Sequence, residues 1–524
     1  MRYPSPRWTA PVLLCVFLSF CILIPPASAT IHNVKTECGA AGNGSTDDTA
    51  EINTCIGHLV SGDTLLFPAG TYLVSGLNRI AVSNVTVDGS SSTATLKSSL
   101  PYILPVGRTG LSATTPFTAN SFDQSSTIQA NFGALGVVSG DYIFIEEQPS
   151  SGSGLRGELV RAQNVYANTA TLSTRVHQDY TTANSATVRK VSTPVRGLNV
   201  HDLVIDGMGS SANGMDVENV VDSTFDHITI RNVLGGQGPQ GVGGALTPYL
   251  NYNVTYSNIT VTGSKVFAFS TWRSGHLTFS GVSIHSLVNN GSTGSFGMGL
   301  DEVSDSTLTN ITIDSTGSGG GRSFKWESAM YNVCNFCTSG HTEGAYYAAF
   351  TIEFFSAHNT FNNCSVPGTS GTGNAGIQLY EAGHANEGNN SYNTFNNCTI
   401  TNTTNYPFWD HGTNNHLEIN GGTFTSAAGQ IGIDLGYYSA TNNAYIHNVT
   451  VNGSSSIGIS LDSASTGACV SNNTITGAST AIQSNSGGNI GSGNSPSNGN
   501  LTAGTCGTTS SAPAPPTGLT AAVQ

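Results

Sequence analysis

Charge is what this chain has least of. Only 9% of its 524 residues are Asp, Glu, Lys or Arg, and 17 basic side chains face 31 acidic ones, for a formal charge of −14. Proteins that hold polyanions do so through clustered Lys and Arg, so this balance argues against nucleic acid and anionic membrane partners. It points instead to a neutral or weakly charged ligand. Long apolar runs are also lacking, with the exception of residues 12–24. That run follows Arg2 and Arg7 and precedes the small residues Ala27, Ser28 and Ala29. It falls short of the roughly 20 residues a membrane-spanning helix needs. The pattern is that of a secretory signal over residues 1–29, cleaved near Ala29, with the mature chain expected outside the cell or in the periplasm.

Low charge with 63 glycines and abundant Ser, Thr and Asn is also a composition of disordered chains. Regular alternation of Val, Ile and Phe argues against disorder. The alternation recurs as a ladder whose first buried positions are Phe225, Tyr256, Phe279, Leu308, Cys334, Phe361, Phe395, Ile419, Ile446 and Val470. Steps of 23 to 34 residues, with a mean near 27, do not suit most helical repeats. They suit one coil of a parallel β-helix per step.

Of ten cysteines, two lie in the signal. Cys38 and Cys55 flank the first motif, Cys469 and Cys506 sit near the end, and two disulfides are expected in an oxidising compartment. Cys337, Cys364 and Cys398 hold the second apolar position of three successive repeats and are expected to stack inward as thiols. Cys334 and Cys337 lack a matching second pair, so a zinc site is not expected; a disulfide between neighbouring coils remains geometrically open. The Asn-x-Ser/Thr triplets at Asn253, Asn258, Asn310, Asn363 and Asn397 recur at repeat positions and read as turn-stabilising stacks rather than glycan acceptors.

Near the mature N-terminus, Ile52, Cys55, Ile56 and Leu59 fall on one face of a short helix. Asp48 with Glu51 three residues on makes a capping-box-like start. The preceding block, Gly39, Ala40, Ala41, Gly42, Asn43, Gly44, Ser45, Thr46, Asp47, Asp48 and Thr49, is followed by Phe67, Pro68, Ala69, Gly70, Thr71 and Tyr72. Together they resemble the opening of the pectate lyase-like superfamily, which includes family 28-type glycoside hydrolases, polysaccharide lyases and phage tailspike depolymerases. The resemblance implies an all-β, right-handed, single-stranded parallel β-helix with a short N-terminal capping helix, and structural roles for Asp47 and Asp48.

The β-helix is expected over residues 30–505. Residues 101–196 break the period, and their apolar stretches read as strands of a β-rich insertion. Residues 506–524 read as a Ser/Pro/Ala linker followed by the first strand of a fibronectin type III module with no room to continue.

The candidate functional residues lie in one bend that precedes each indexed strand. All three tryptophans of the mature chain fall there: Trp272, Trp326 and Trp409. Stacked coils at roughly 4.8 Å would line up this bend as a continuous row. Aromatic faces take the apolar side of sugar rings while charged and amide groups bond hydroxyls. Trp272, Arg273, Glu302, Trp326, Tyr380, Glu381, Trp409, Asp410 and His411 are therefore candidate substrate-binding residues. Asp434 and Asp462 read as acids that merely solvate a turn.

Hydrolysis of a glycosidic bond needs two carboxyl groups, roughly 5 to 5.5 Å apart for retention or 6.5 to 9.5 Å for inversion. Asp301 and Glu353 lie two coils apart with Lys325 and Glu327 between, which favours an inverting pair; these four are the candidate catalytic residues. Lys325 is expected to hold one carboxylate ionised or simply to neutralise the acidic row. No cofactor or metal is needed for this reaction. A β-eliminating lyase is the competitor, with Lys325, Arg273 or Arg322 as base and Ca²⁺ held at Asp301 and Glu302. A third reading is a non-catalytic glycan-binding β-helix. The Asn-Thr-Asp, Asp-Asp, Gly-His-Gly and Arg-Ile-Lys segments of family 28-type polygalacturonases find only loose echoes at Asp301 with Glu302 and at Asp410 with His411, so no catalytic residue carries over from them. The expected partner is a polysaccharide and the expected state a monomer.

Overall fold

The computed structural model describes residues 29–506, apart from 100–101, 109, 148–155, 211–212, 235–243, 266, 289–295, 316–320, 344–347, 371–374, 381–389, 438–439 and 454–455. Its body is a right-handed parallel β-helix of about 15 turns. Each step of the apolar ladder is a backbone pairing: Phe225 to Tyr256, Phe279, Leu308, Cys334, Phe361, Phe395, Ile419, Ile446 and Val470 stand in parallel register on successive coils. Where aromatics meet they stack, as Tyr256 on Phe279 at 5.2 Å and Phe361 on Phe395 at 4.7 Å. A second sheet stacks Ile205, Ile230, Val261, Ile284 and Ile313. A third precedes the ladder in each coil and includes Met215–Glu218, Leu246–Tyr249, Phe267–Gly275, Phe296–Ser304, Arg322–Glu327, Phe350–Glu353, Ile377–Tyr380, Phe408–Asp410 and Ile431–Leu435. The bend identified in the sequence is thus the outward face of a sheet.

Asparagine shapes the corners. Asn258, Asn310, Asn363 and Asn397 all sit at φ between 52° and 56°, the left-handed region that Asn tolerates, which accounts for their recurrence at one repeat position. Outside, the amides of Asn362 and Asn396 donate to Asn335 and Asn362 at 2.8 and 2.9 Å. Inside, Asn332, Asn359 and Asn393 are fully buried. The Asn332 and Asn359 backbone N–H groups donate to the side chains of Asn359 and Asn393, at 3.0 and 3.1 Å, and the Asn359 amide donates to the Ala329 carbonyl at 2.8 Å.

The capping helix runs Thr49–His58 and buries Ile52, Cys55 and Ile56. Asp48 precedes it but makes no side-chain cap; its carboxylate accepts instead from the Ala41 and Gly42 backbone N–H groups, so the capping-box expectation is corrected while the structural role of Asp48 stands. Disulfides join Cys38 to Cys55 and Cys469 to Cys506. A third joins Cys334 to Cys337 within one coil, so Cys337 is not a stacked thiol; Cys364 and Cys398 are buried and free. No helix among the described residues is long and apolar enough to cross a membrane.

Between the early coils and Val195, strands including Tyr142–Glu147, Arg156–Val165 and Thr187–Lys190 form a six-stranded antiparallel sheet with its own core around Phe132, Ile143, Val160 and Val188. Its other face packs Tyr142, Phe144 and Leu159 against Tyr249, Leu250 and Tyr252 of the solenoid.

The internal ladder generates a prediction. Asn359→Ala orphans the Asn332 N–H, while the Ala329 carbonyl keeps only the Ala357 N–H; a buried unpaired group costs about 1–3 kcal/mol. A lower thermal midpoint, with hydrogen-exchange protection lost first around residues 329–393, is the expected result.

Candidate active site

On the third sheet, side chains alternate between core and surface. Met298, Leu300, Phe324, Trp326, Phe350, Ile352, Ile377, Leu379 and Phe408 point into the core. Two columns point outward. One runs Glu218, Tyr249, Trp272, Asp301, Glu327, Glu353, Tyr380. The neighbouring column runs Gly299, Lys325, Thr351, Gln378, Trp409, Asp434. Three acids on successive coils are therefore flanked by aromatics on both sides.

The structure brings Asp301, Lys325, Glu327 and Glu353 together. The Lys325 ammonium donates to Asp301 Oδ1 at 3.2 Å and also pairs with Glu327. Burial opposes its charge, but Asp301, Glu327 and Glu353 outweigh burial and raise its pKa. Asp301 is 3% exposed, and its Oδ2 has no hydrogen-bond partner in the protein. Burial pushes its carboxyl up to about 7, with Lys325 pulling down and Glu327 and Glu353 adding like charge. Gly299 leaves room beside that oxygen: a Cβ there would stand 3.7 Å from Oδ2. Glu353 is as buried, and its pKa is raised by burial against the attraction of Arg322, whose guanidinium pairs with it and lies 5.5 Å from the centre of the Phe296 ring. Sequence alone offers Arg322 only as a candidate base, and its pairing with Glu353 leaves no local signal.

Other candidates are placed differently. Trp326 is 1% exposed in the core and Asp410 is fully buried, so neither offers a groove contact. Both sit at inward positions, Trp326 in register with Leu300 and Ile352 and Asp410 with Leu379 and Leu435. Asp410 accepts from the Gly412 N–H at 3.2 Å and from Asn414 and Thr441. Arg273 and Glu302 pair with each other at 2.8 Å beneath the inserted sheet, with Arg273 over the Phe144 ring at 4.8 Å and 3.7 Å from Glu146. Glu302 thus diverges from Asp301, and the two do not share a cation position. Trp272 is half-buried against the insertion, in the acid column. Glu381 lies outside the described residues.

Beyond Tyr380 lies an aromatic group in which Tyr406 and Tyr437 join the sequence candidates Trp409 and His411. Trp409 stacks on His411 at 4.6 Å and on Tyr406 at 5.0 Å, with Tyr437 edge-on at 5.9 Å. Next to Trp409 in its column stands Asp434, not a solvated acid but fully buried, pushed up to about 7 by burial and by Asp462. At the opposite end Glu218, also pushed up to about 7 by burial, lies 3.7 Å from Arg79, which pairs with Asp216 too.

A model of the rhamnogalacturonase A/epimerase, pectate lyase-like family matches residues 31–296, more than half of the chain. The chain belongs to that family. Among curated proteins none matches its sequence. Tailspike protein 3 of bacteriophage CBA120 superposes with a TM-score of 0.53 at 12% identity, over 90% of this chain and 62% of that one. The A-module of the Azotobacter vinelandii mannuronan C-5 epimerase AlgE6 gives 0.46 at 15% identity, over 88% of this chain and 98% of that one. A family 28 exopolygalacturonase of Yersinia enterocolitica gives 0.37 at 11%, over 89% and 78%. The chain spans about three fifths of the CBA120 tailspike and of the Geobacillus virus E2 ORF18 protein. At these identities the likeness is one of fold.

Opposite placements of two tryptophans make a direct test. Trp326→Ala empties a core site and is expected to cost about 3–5 kcal/mol of stability. Trp409→Ala is expected to leave the thermal midpoint nearly unchanged and to weaken glycan retention in affinity electrophoresis.

Proposed function

We propose that this protein is a secreted, polysaccharide-cleaving member of its family that hydrolyses glycosidic bonds in the groove of the third sheet, with inversion. One observation carries the reading: Asp301 and Glu353 share an outward column two coils apart, between Tyr249 with Trp272 on one side and Tyr380 with Trp409 on the other. Two coils amount to roughly 9.6 Å of rise, and side chains leaning toward a bound sugar bring the carboxyl groups into the inverting range. Adjacent acids suit retention by spacing, but Glu327, the acid between, is tied to Lys325 and is a poor nucleophile in that pairing.

In this mechanism Asp301, which holds a proton up to about pH 7, protonates the leaving oxygen from its unpartnered Oδ2. Glu353, charge-paired with Arg322, takes a proton from the attacking water on the other face of the ring. Lys325 and Glu327 fix the charge between them. Elimination and epimerisation both begin with removal of a proton beside a uronic carboxylate. The family description includes an epimerase, so this class is the second reading. It is disfavoured here because Lys325, the amine beside the acid column, is held protonated by its carboxylates.

Reducing-end release over a panel of neutral and acidic polysaccharides, read beside absorbance of unsaturated uronides, tests the proposal. New reducing ends alone are expected; uronide absorbance would replace hydrolysis with elimination, and neither signal would leave a binding protein. Asp301→Asn and Glu353→Gln should each lower kcat by roughly 10²–10⁴-fold. The proton on Asp301 is lost as pH rises through about 7, so kcat/KM should fall above that pH. It should also fall at low pH as Glu353, raised above the usual carboxylate range, takes up a proton. Full activity in both variants would remove these residues from the mechanism.

A further inference from the structure

Far from the groove, three potential metal ligands converge at the N-terminal cap. His32 Nδ1 stands 2.8 Å from Glu37 Oε1, and His58 Nδ1 stands 3.5 Å from the same oxygen. The two imidazole rings are 6.0 Å apart and tilted by 52°, so they do not stack, and one ligand atom from each of the three side chains lies within 4.8 Å of the other two. The other His32 nitrogen, Nε2, lies 3.1 Å from Asp63 Oδ2. Asp63 is 1% exposed, and its carboxylate already accepts the Thr30 and Val60 backbone N–H groups at 2.9 and 2.8 Å. An ionised carboxylate can only accept, so His32 presents an N–H to Asp63. With the ring neutral, that tautomer turns the Nδ1 lone pair toward Glu37; with the ring protonated, Nδ1 donates to Glu37 Oε1 instead.

A lone pair facing a carboxylate oxygen at 2.8 Å repels unless a proton or a cation sits between them. Bonds of 2.0–2.2 Å place neighbouring ligands of a tetrahedral or octahedral ion roughly 2.9–3.5 Å apart, close to both observed separations. A carboxylate on the far nitrogen of a ligating histidine is also the usual orienting partner of such sites. Covalent structure holds the group together. Cys38 follows Glu37, Cys55 lies one helical turn before His58, and the Cys38–Cys55 disulfide joins the two at a Cα separation of 5.9 Å. His32 belongs to the Ile31–Asn33 strand and His58 ends the capping helix, so an ion here would tie the first strand to the cap.

We propose that His32, Glu37 and His58 bind a borderline divalent metal ion of the Zn²⁺ class, with Asp63 orienting His32. Two imidazoles and one carboxylate suit Zn²⁺ and not Ca²⁺ or Mg²⁺, which take oxygen ligands. Because the ion binds the folded cap alone, it stabilises the native chain by mass action.

The test uses the full chain, stripped with chelator and titrated calorimetrically with Zn²⁺, Ca²⁺ and Mg²⁺. One equivalent of Zn²⁺ is expected to bind with a rise in thermal midpoint, and neither alkaline-earth ion to do so. His58 is half exposed, so His58→Ala should fold with an unchanged metal-free midpoint while losing at least 10-fold in Zn²⁺ affinity. Glu37→Gln should act alike, and opening the Cys38–Cys55 disulfide should weaken binding in the wild-type chain. Absence of saturable Zn²⁺ binding, or binding unchanged in both variants, would overturn the proposal.

Discussion

Parallel pairing in register is the constraint on which everything else rests. Each residue of a coil must sit roughly 4.8 Å from its equivalent on the next. In the core this turns single apolar positions into continuous stacks, and at the corners it turns single asparagines into hydrogen-bonded ladders. The same rule is unfavourable for charge, since like charges directly opposite on paired strands repel. Asp301, Glu327 and Glu353 nevertheless occupy consecutive positions. Lys325 and Arg322 offset the repulsion in part, yet burial, with like charge added, keeps Asp301 and Glu353 above their ordinary pKa. An acidic column maintained against register physics, on a sheet that also turns aromatics outward, is what the proposed chemistry would draw on.

The ladder was legible because a buried parallel strand writes its phase in apolar residues, and each of its steps proved to be a backbone pairing. Errors came where that phase was not carried through. Lys325 and Glu327 both point outward, and alternation alone then requires Trp326 to point inward, as it does. Asp410 follows Trp409 by one and shares the inward phase of Phe408 by the same alternation; bonds to Asn414, Thr441 and Gly412 replace an apolar side chain at that site. Burial of Asp434 had no local sign either, since an acid in an outward column reads as solvated until its neighbours are known.

Arg273 and Glu302 show a different limit. Both sit at the bend that the repeat marks, but the inserted sheet lies over them, and its docking is set by residues more than a hundred positions away. His177 of the insertion lies between Glu158 and Asp305 at 2.7 and 3.2 Å, and Gln124 bonds the Tyr331 hydroxyl at 2.7 Å. Burial alone would strip the proton from His177, yet the two carboxylates raise its pKa well above the ordinary value. That paired charge is lost as pH rises through the raised pKa of His177 and again as pH falls through the lowered pKa of Asp305, so the insertion is most firmly seated between the two. Periodicity reports what repeats, and an insertion is what does not.

Several buried polar groups on the third sheet are left unsatisfied. Trp272 Nε1, Asp301 Oδ2, Gln378 Oε1, Trp409 Nε1 and both Asp434 oxygens lack a hydrogen-bond partner in the protein, as do Trp326 Nε1 in the core and Asn219 Oδ1 and Asn414 Oδ1 outside the two outward columns. Each such group costs about 1–3 kcal/mol in the absence of a ligand or water. Trp272, Asp301, Gln378, Trp409 and Asp434 all fall in the two outward columns of a single sheet. A chain of stacked coils can carry that local deficit because each coil draws stability from its neighbours on all three sheets. A hydroxyl-rich ligand, with donors and acceptors at short intervals along a line, matches the spacing of those open valences and would recover in binding part of what folding left unsatisfied.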